Sequence, residues 1–244
     1  MRARIKGHDA GKVFDDVTSV TSSKVKPNNS HAYPAYSLRE RVADGAVHVA
    51  GLVFGVTALA VLLTLSLAQK HAYETAALAV YGGAMVLMLS CSAAYHLTPV
   101  LNWKVVLRRF DKAAIFLKIA GTYTPFAALK MGGAVGFGLL GTVWIVALLG
   151  AGLVLGLKQK HTKLSVALYL ALGWIGVLVL WPLMASMSGL AFGLLGLGGV
   201  LYSVGVIFHL WESLPFSNAI WHLFVLVATA CHYAAVYVAV LTDF

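Results

Sequence analysis

Charge is what this sequence lacks over its longest stretches. No Asp, Glu, Lys or Arg occurs in residues 45–69, 75–103, 131–157, 164–211 or 213–242. Charged residues make up 11% of the 244 and hydrophobic ones 60%, whereas ordinary soluble domains carry charge on about a quarter of their residues. A soluble fold is excluded on that ground. Two cysteines, Cys91 and Cys231, lie inside apolar runs and rule out a disulfide framework; they read as small packing residues. Alternating segments of ~10 residues, the mark of a membrane β-barrel, are missing. No internal repeat of the inverted transporter kind is visible. The first 36 residues contain no apolar h-region, so they are not expected to be a cleaved signal peptide.

What remains is a set of runs long enough for the bilayer. Crossing ~30 Å of hydrocarbon as a helix takes about 20 residues, and each uncharged run exceeds that. Residues 164–211 suffice for two crossings, with a turn at Met184-Ala185-Ser186-Met187-Ser188-Gly189. A seventh span, Ala113 to Leu129, is interrupted only by Lys118. The expected fold is therefore all-α, a seven-transmembrane helix bundle with helices at about 45–68, 75–98, 111–129, 134–157, 164–184, 189–211 and 219–241. Its many glycines suit close helix approach in lipid. Residues 1–36 are polar, without apolar periodicity, and read as a flexible tail; residues 37–244 form the membrane domain.

Basic residues set the expected orientation. With the N-terminus inside, the tail and residues 99–112 and 158–163 hold fifteen Lys and Arg, while the outside loops hold Lys70 and Lys130 only. The positive-inside rule places the N-terminus in the cytoplasm and the C-terminus outside. A basic rim against anionic lipid also accounts for the +9 net charge, with membrane lipids as partners and no nucleic acid.

Ionisable groups inside spanning helices are costly and usually functional. Glu40, Asp44 and His48 follow one another at intervals of four, which keeps them on one helix face. Ser92 and His96 repeat that interval near the end of the second span, as do Asn218 and His222 at the start of the seventh. Asp111 opens the third span and His209 closes the sixth. In the expected topology all of them share the cytoplasmic ends of five helices. Taken singly each has an ordinary explanation: an interfacial histidine for His96, a first-turn carboxylate favoured by the helix dipole for Asp111, Glu40 and Asp44. Their common depth is the functional signal. Neutral imidazoles with a nearby carboxylate suit a zinc-type site. In such a site Asp111 can act as general base, and Ser92 can hydrogen-bond a ligand or an oxyanion. His232 lies ten residues, ~15 Å, beyond His222 and is too deep to join. Lys118, two turns inward from Asp111, fits either a counter-ion or a polar strut.

At these residues the chain resembles the haemolysin III family, the bacterial branch of the progestin and adiponectin receptor superfamily. The matching pieces are Glu40-x3-Asp44-x3-His48, Ser92-Ala93-Ala94-Tyr95-His96, and Asp111 leading into Ile119-Ala120-Gly121-Thr122-Tyr123-Thr124-Pro125-Phe126. Leu214-Pro215-Phe216 and Ile220-Trp221-His222-Leu223-Phe224-Val225 complete the ordered set. The resemblance implies a bacterial multi-pass cell-membrane protein and a zinc ion bound by three histidines. Those positions here are His96, Asn218 and His222, so one imidazole is replaced by an amide, a poor zinc ligand. Asp44 stands where the family commonly has Asn, and Lys112 where it commonly has His. Three outcomes are open: His209 supplies the lost ligand, Asn218 or water completes a weak site, or no metal binds.

Two functions compete on this evidence. One is a membrane-embedded, metal-dependent hydrolase of a lipid ester or amide, with Asp111 and Ser92 catalytic and His96 and His222 on the metal; distant similarity to alkaline ceramidases points the same way. The other is a non-enzymatic sensor or regulator of membrane lipid. Cytolysis through a pore, suggested by the family name, is the least supported, because only Lys118, His232 and scattered hydroxyls lie between the two polar rims.

Overall fold

The computed structural model describes residues 36–69, 72–156, 162–211 and 213–242. Among them the chain forms seven helices and no strand. Helix α1 (Leu38–Ala68) leads by a short link to α2 (Ala72–Leu97) and then α3 (Leu101–Pro125). Helix α3 continues through a π-helical turn, Phe126–Met131, before α4 (Gly133–Gly156). Helix α5 is broken into Thr162–Trp174, a 3-10 stretch Ile175–Val179, and Leu180–Ala185. Helix α6 (Gly189–Leu210) and α7 (Ser217–Tyr237), extended by a π turn at Val238–Thr242, complete the bundle. Nearly all of the expected tail lies outside the described residues.

Six of the seven helices are long and apolar enough to cross a membrane. The exception is α3, whose first three turns carry Lys104, Arg108, Arg109, Asp111 and Lys112, with Lys118 further in. Two helix starts differ from expectation. Helix α1 begins seven residues before 45 and α3 ten residues before 111. An absence of charge marks where a helix meets hydrocarbon, not where its hydrogen bonding starts. A polar turn extends the same helix beyond that boundary. The start of α1 is fixed by a capping box: Ser37 Oγ accepts the Glu40 amide at 3.3 Å while Glu40 accepts the Ser37 amide at 2.8 Å. Asp111 consequently lies in the third turn of α3, and the reading of it as a first-turn charge favoured by the dipole is set aside.

Neighbouring helices pack side by side, most extensively α1 with α2, α2 with α3, α3 with α4, and α6 with α7; α7 also returns against α1. That closure matters, because it brings the first and last helices into contact around α2. Small residues permit the close approaches. A methyl group at Gly150 of α4 would press into the Phe116 ring of α3, and one at Gly198 of α6 would overlap the His232 ring of α7. Buried Leu62, Leu78, Tyr81, Met85, Phe126 and Val236 fill one core cluster, and Phe116, Ala120, Val143 and Ala147 a second. The break in α5 is held by Tyr123, whose hydroxyl donates to the Gly173 carbonyl at 2.6 Å and accepts the Gly176 amide at 3.0 Å. Those two bonds serve backbone groups that an unbroken helix would have satisfied internally.

Candidate metal centre at one end of the bundle

Three helices each contribute a pair of polar residues four apart: Asp44 and His48 from α1, Ser92 and His96 from α2, Asn218 and His222 from α7. The interval of four places each pair on one side of its helix, one turn above the other. All three sides face the same axis at the end of the bundle where α1 begins. One ligand atom from each of Asp44, His48, His96 and His222 lies within 4.8 Å of the others.

The Asp44 carboxylate is the hub. One oxygen accepts the His222 Nδ1–H at 2.6 Å. The other accepts the Asn218 amide at 3.0 Å and stands 3.3 Å from His96 Nδ1. Asn218 also lies 3.1 Å from His96 Nδ1, bridging two of the three helices. His48 turns its Nδ1–H back onto the Asp44 carbonyl at 2.8 Å, which leaves Nε2 with a lone pair; the Ser92 hydroxyl is 3.2 Å from it. The three imidazoles touch one another, with ring centroids 4.3 Å apart for His48 and His222, 4.4 Å for His96 and His222, and 4.9 Å for His48 and His96. Asp44, His48 and His222 are buried and His96 nearly so. Asp111 of α3 lies beside this group, near the Ser92 hydroxyl and within electrostatic reach of His48 and His96.

The donor set fits a metal ion. Three imidazoles and a carboxylate in a buried space are the nitrogen and oxygen ligands that a zinc-type ion takes, and few other arrangements give three histidines a reason to crowd one acid. The second nitrogen of His48 is already engaged by a backbone carbonyl, the tethering that metal-bound histidines ordinarily show.

Of the residues expected from sequence, His96 and His222 sit in the cluster, with Ser92 and Asp111 beside it. His209 does not join it. Its ring packs on Trp221 with centroids 5.1 Å apart, and the clustered ligand atoms come from other residues, so the idea of His209 as substitute ligand is corrected. The third imidazole comes instead from His48, with the Asp44 carboxylate as fourth group. Both were visible in sequence as members of the polar layer, and their interval of four was the signal. Nothing in the spacing assigned them to the ion rather than to each other.

Fold and site together define a multi-pass helical membrane protein with a buried Asp and three-His cluster able to hold a metal ion. Residues 36–233 match the family described as Haemolysin-III related, and the chain belongs to that family. It is 36% identical over 201 residues to the Hemolysin-3 homolog of Bacillus subtilis (strain 168), covering 82% of this chain and 94% of that protein. Hemolysin-3 of Bacillus cereus is 37% identical over 195 residues, 79% of this chain and 88% of the relative. The human Monocyte to macrophage differentiation factor is 28% identical over 207 residues, 81% and 83% of the two chains. That match is consistent with the wider receptor superfamily.

Proposed function

We propose that this protein is a zinc-dependent hydrolase of a lipid ester or amide, working at the cytoplasmic face of the membrane. The observation that supports it is the convergence of Asp44, His48, His96 and His222 within 4.8 Å, with the Asp111 carboxylate and the Ser92 hydroxyl beside them. Zinc held there supplies Lewis acidity at neutral pH, enough to polarise a carbonyl. Asp111, on the one helix of the four that gives no group to the cluster, is placed to take the proton from a water attacking that carbonyl. The Ser92 hydroxyl is placed to donate to the oxyanion that forms. Asp44 keeps the His222 ring in one orientation, and Asn218 keeps Asp44 in place. The cytoplasmic assignment rests on the basic residues flanking this end of the bundle, and reporter enzymes fused to each terminus test it.

The test of the chemistry is metal content of the purified chain, with lipid products measured for wild type, Asp111→Asn and His96→Ala. Metal in the wild type, with turnover lost in both variants, supports the hydrolase. Metal without turnover of any ester or amide lipid removes the hydrolase and leaves a regulator.

A further inference from the structure

A second set of buried polar groups lies deeper in the bundle and takes no part in the centre described above. Lys118 is seven residues beyond Asp111 on α3, ~10 Å along the helix. It is 4% exposed. Its Nζ is 3.4 Å from His232 Nδ1 of α7 and 4.3 Å from the centroid of the Tyr202 ring of α6. The His232 ring is fixed from its other side. Its Nε2–H donates to the Leu195 carbonyl at 3.2 Å, and Gly198 packs so closely that an added methyl would overlap the ring. A carbonyl can only accept, so Nε2 keeps its proton and Nδ1 is the nitrogen left to face Lys118.

Two bases on different helices therefore meet nitrogen to nitrogen, and what they can hold follows from counting. With no added proton, the amine donates one N–H to the Nδ1 lone pair. One added proton sits on either nitrogen, and in both placements a hydrogen bond still joins α3 to α7. A second proton would set two positive charges side by side, and even one such charge is costly within the hydrocarbon. The capacity of the pair is one.

The surroundings lock neither state. No carboxylate among the described residues pairs with Lys118, so the counter-ion reading of it lapses. The face of Tyr202 favours a cation without neutralising it. The other titratable groups at this depth are uncharged at neutral pH: Cys231 of α7 and Tyr81 of α2, both within electrostatic reach of Tyr202. Helix α1 has no titratable residue beyond His48, and α4 has none. Tyr169 of α5 is bonded to the Lys112 carbonyl, nearer the metal end.

We propose that Lys118 and His232 form a one-proton site whose filling turns the middle of the bundle from neutral to cationic, making the membrane domain responsive to pH. A proton needs no cavity, and both atoms that would hold it are already in contact. The site stands apart from the metal centre and does not depend on it.

The test is side-chain NMR of the full-length chain in detergent, with isotope-labelled lysine and histidine nitrogens, from about pH 4 to about pH 11. The two signals are identified by their loss in Lys118→Met and in His232→Gln. In the wild type both are expected to shift at one shared midpoint, with a single proton bound at the acid end. In Lys118→Met the His232 midpoint should be displaced by at least about one pH unit, a tenfold change in proton affinity. Lys118 should respond likewise in His232→Gln, which keeps an acceptor and decides the matter if Lys118→Met does not fold. His96→Ala should leave the shared midpoint in place. Separate midpoints, indifference of each residue to loss of the other, uptake of two protons, or no titration in the range overturns the proposal. A shared midpoint that moves in His96→Ala traces the proton to the metal centre and also overturns it.

Discussion

The Glu40 carboxylate of α1 accepts the backbone amide of Phe216, 176 residues later, at 2.9 Å. Phe216 is the N-cap of α7, with φ at 61° in the left-handed region and no side-chain bond of its own to cap the helix. Polar residues usually fill that position because a side-chain oxygen can serve the free amides there. Here the oxygen comes from another helix, and its negative charge also suits the positive end of α7. Glu40, Asp44 and His48 thus form three successive rungs on α1, reaching the start of α7, then Asn218 and His222, then Ser92.

Glu40→Ala is expected to loosen the register of α7 against α1. Metal affinity should fall by about tenfold, the lower end of what loss of an outer supporting contact does. Glu40→Gln keeps an oxygen for the Phe216 amide and should recover most of that loss. Titration of metal into the purified variants checks both; equal losses in Ala and Gln would show that charge, not the bond, matters.

His48→Ala should release metal as completely as His96→Ala and His222→Ala, because all three rings stand within the same cluster. His209→Ala should retain the wild-type amount, since its ring is committed to Trp221. Elemental analysis of the four purified variants distinguishes a three-imidazole centre built on α1, α2 and α7 from one that borrows α6.

Asp44→Asn keeps the shape and removes the charge that His222 and Asn218 address. Metal affinity is expected to drop by roughly 10- to 100-fold. Asn218→Ala, which removes one support of Asp44, should cost less. Competition with a chelator of known strength gives both values.

Gly198→Ala and Gly141→Ala make the same chemical change in opposite surroundings. At Gly198 the methyl meets the His232 ring and lies 3.1 Å from the Ala228 carbonyl, so a loss of about 1–3 kcal/mol is expected from overpacking. At Gly141 nothing stands within 4 Å, and the gain in helix propensity should stabilise by about 0.5 kcal/mol or leave stability unchanged. Unfolding of the two variants in mixed detergent micelles compares them directly.

Much of this architecture could be read before any coordinates. Uncharged runs longer than a bilayer crossing announce spanning helices whatever their packing, and intervals of four announce a helix face. Height along a helix was therefore legible, and it put Asp44, His48, His96 and His222, which the structure brings together, in one layer. Direction around the bundle axis was not. His209 has the right height, yet its ring packs on Trp221, while His48, read only as a member of the polar layer, completes the trio of rings. Neighbour choice depends on which helix closes against which, and the return of α7 onto α1 leaves no mark in local sequence. The starts of α1 and α3 were also hidden, because polar turns continue a helix without any apolar signal.

Helices α4 and α5 contribute no group to the metal cluster or to the Lys118 layer, although together they are more than 45 residues of the fold. Apart from Trp144, Tyr169 and Trp174, which donate to Thr124, the Lys112 carbonyl and Ser203, their side chains answer mainly to size and greasiness. A saturation library should consequently split this polypeptide into two regimes of tolerance, with α4 and α5 accepting most apolar exchanges and α1, α2 and α7 refusing even isosteric ones along a single stripe.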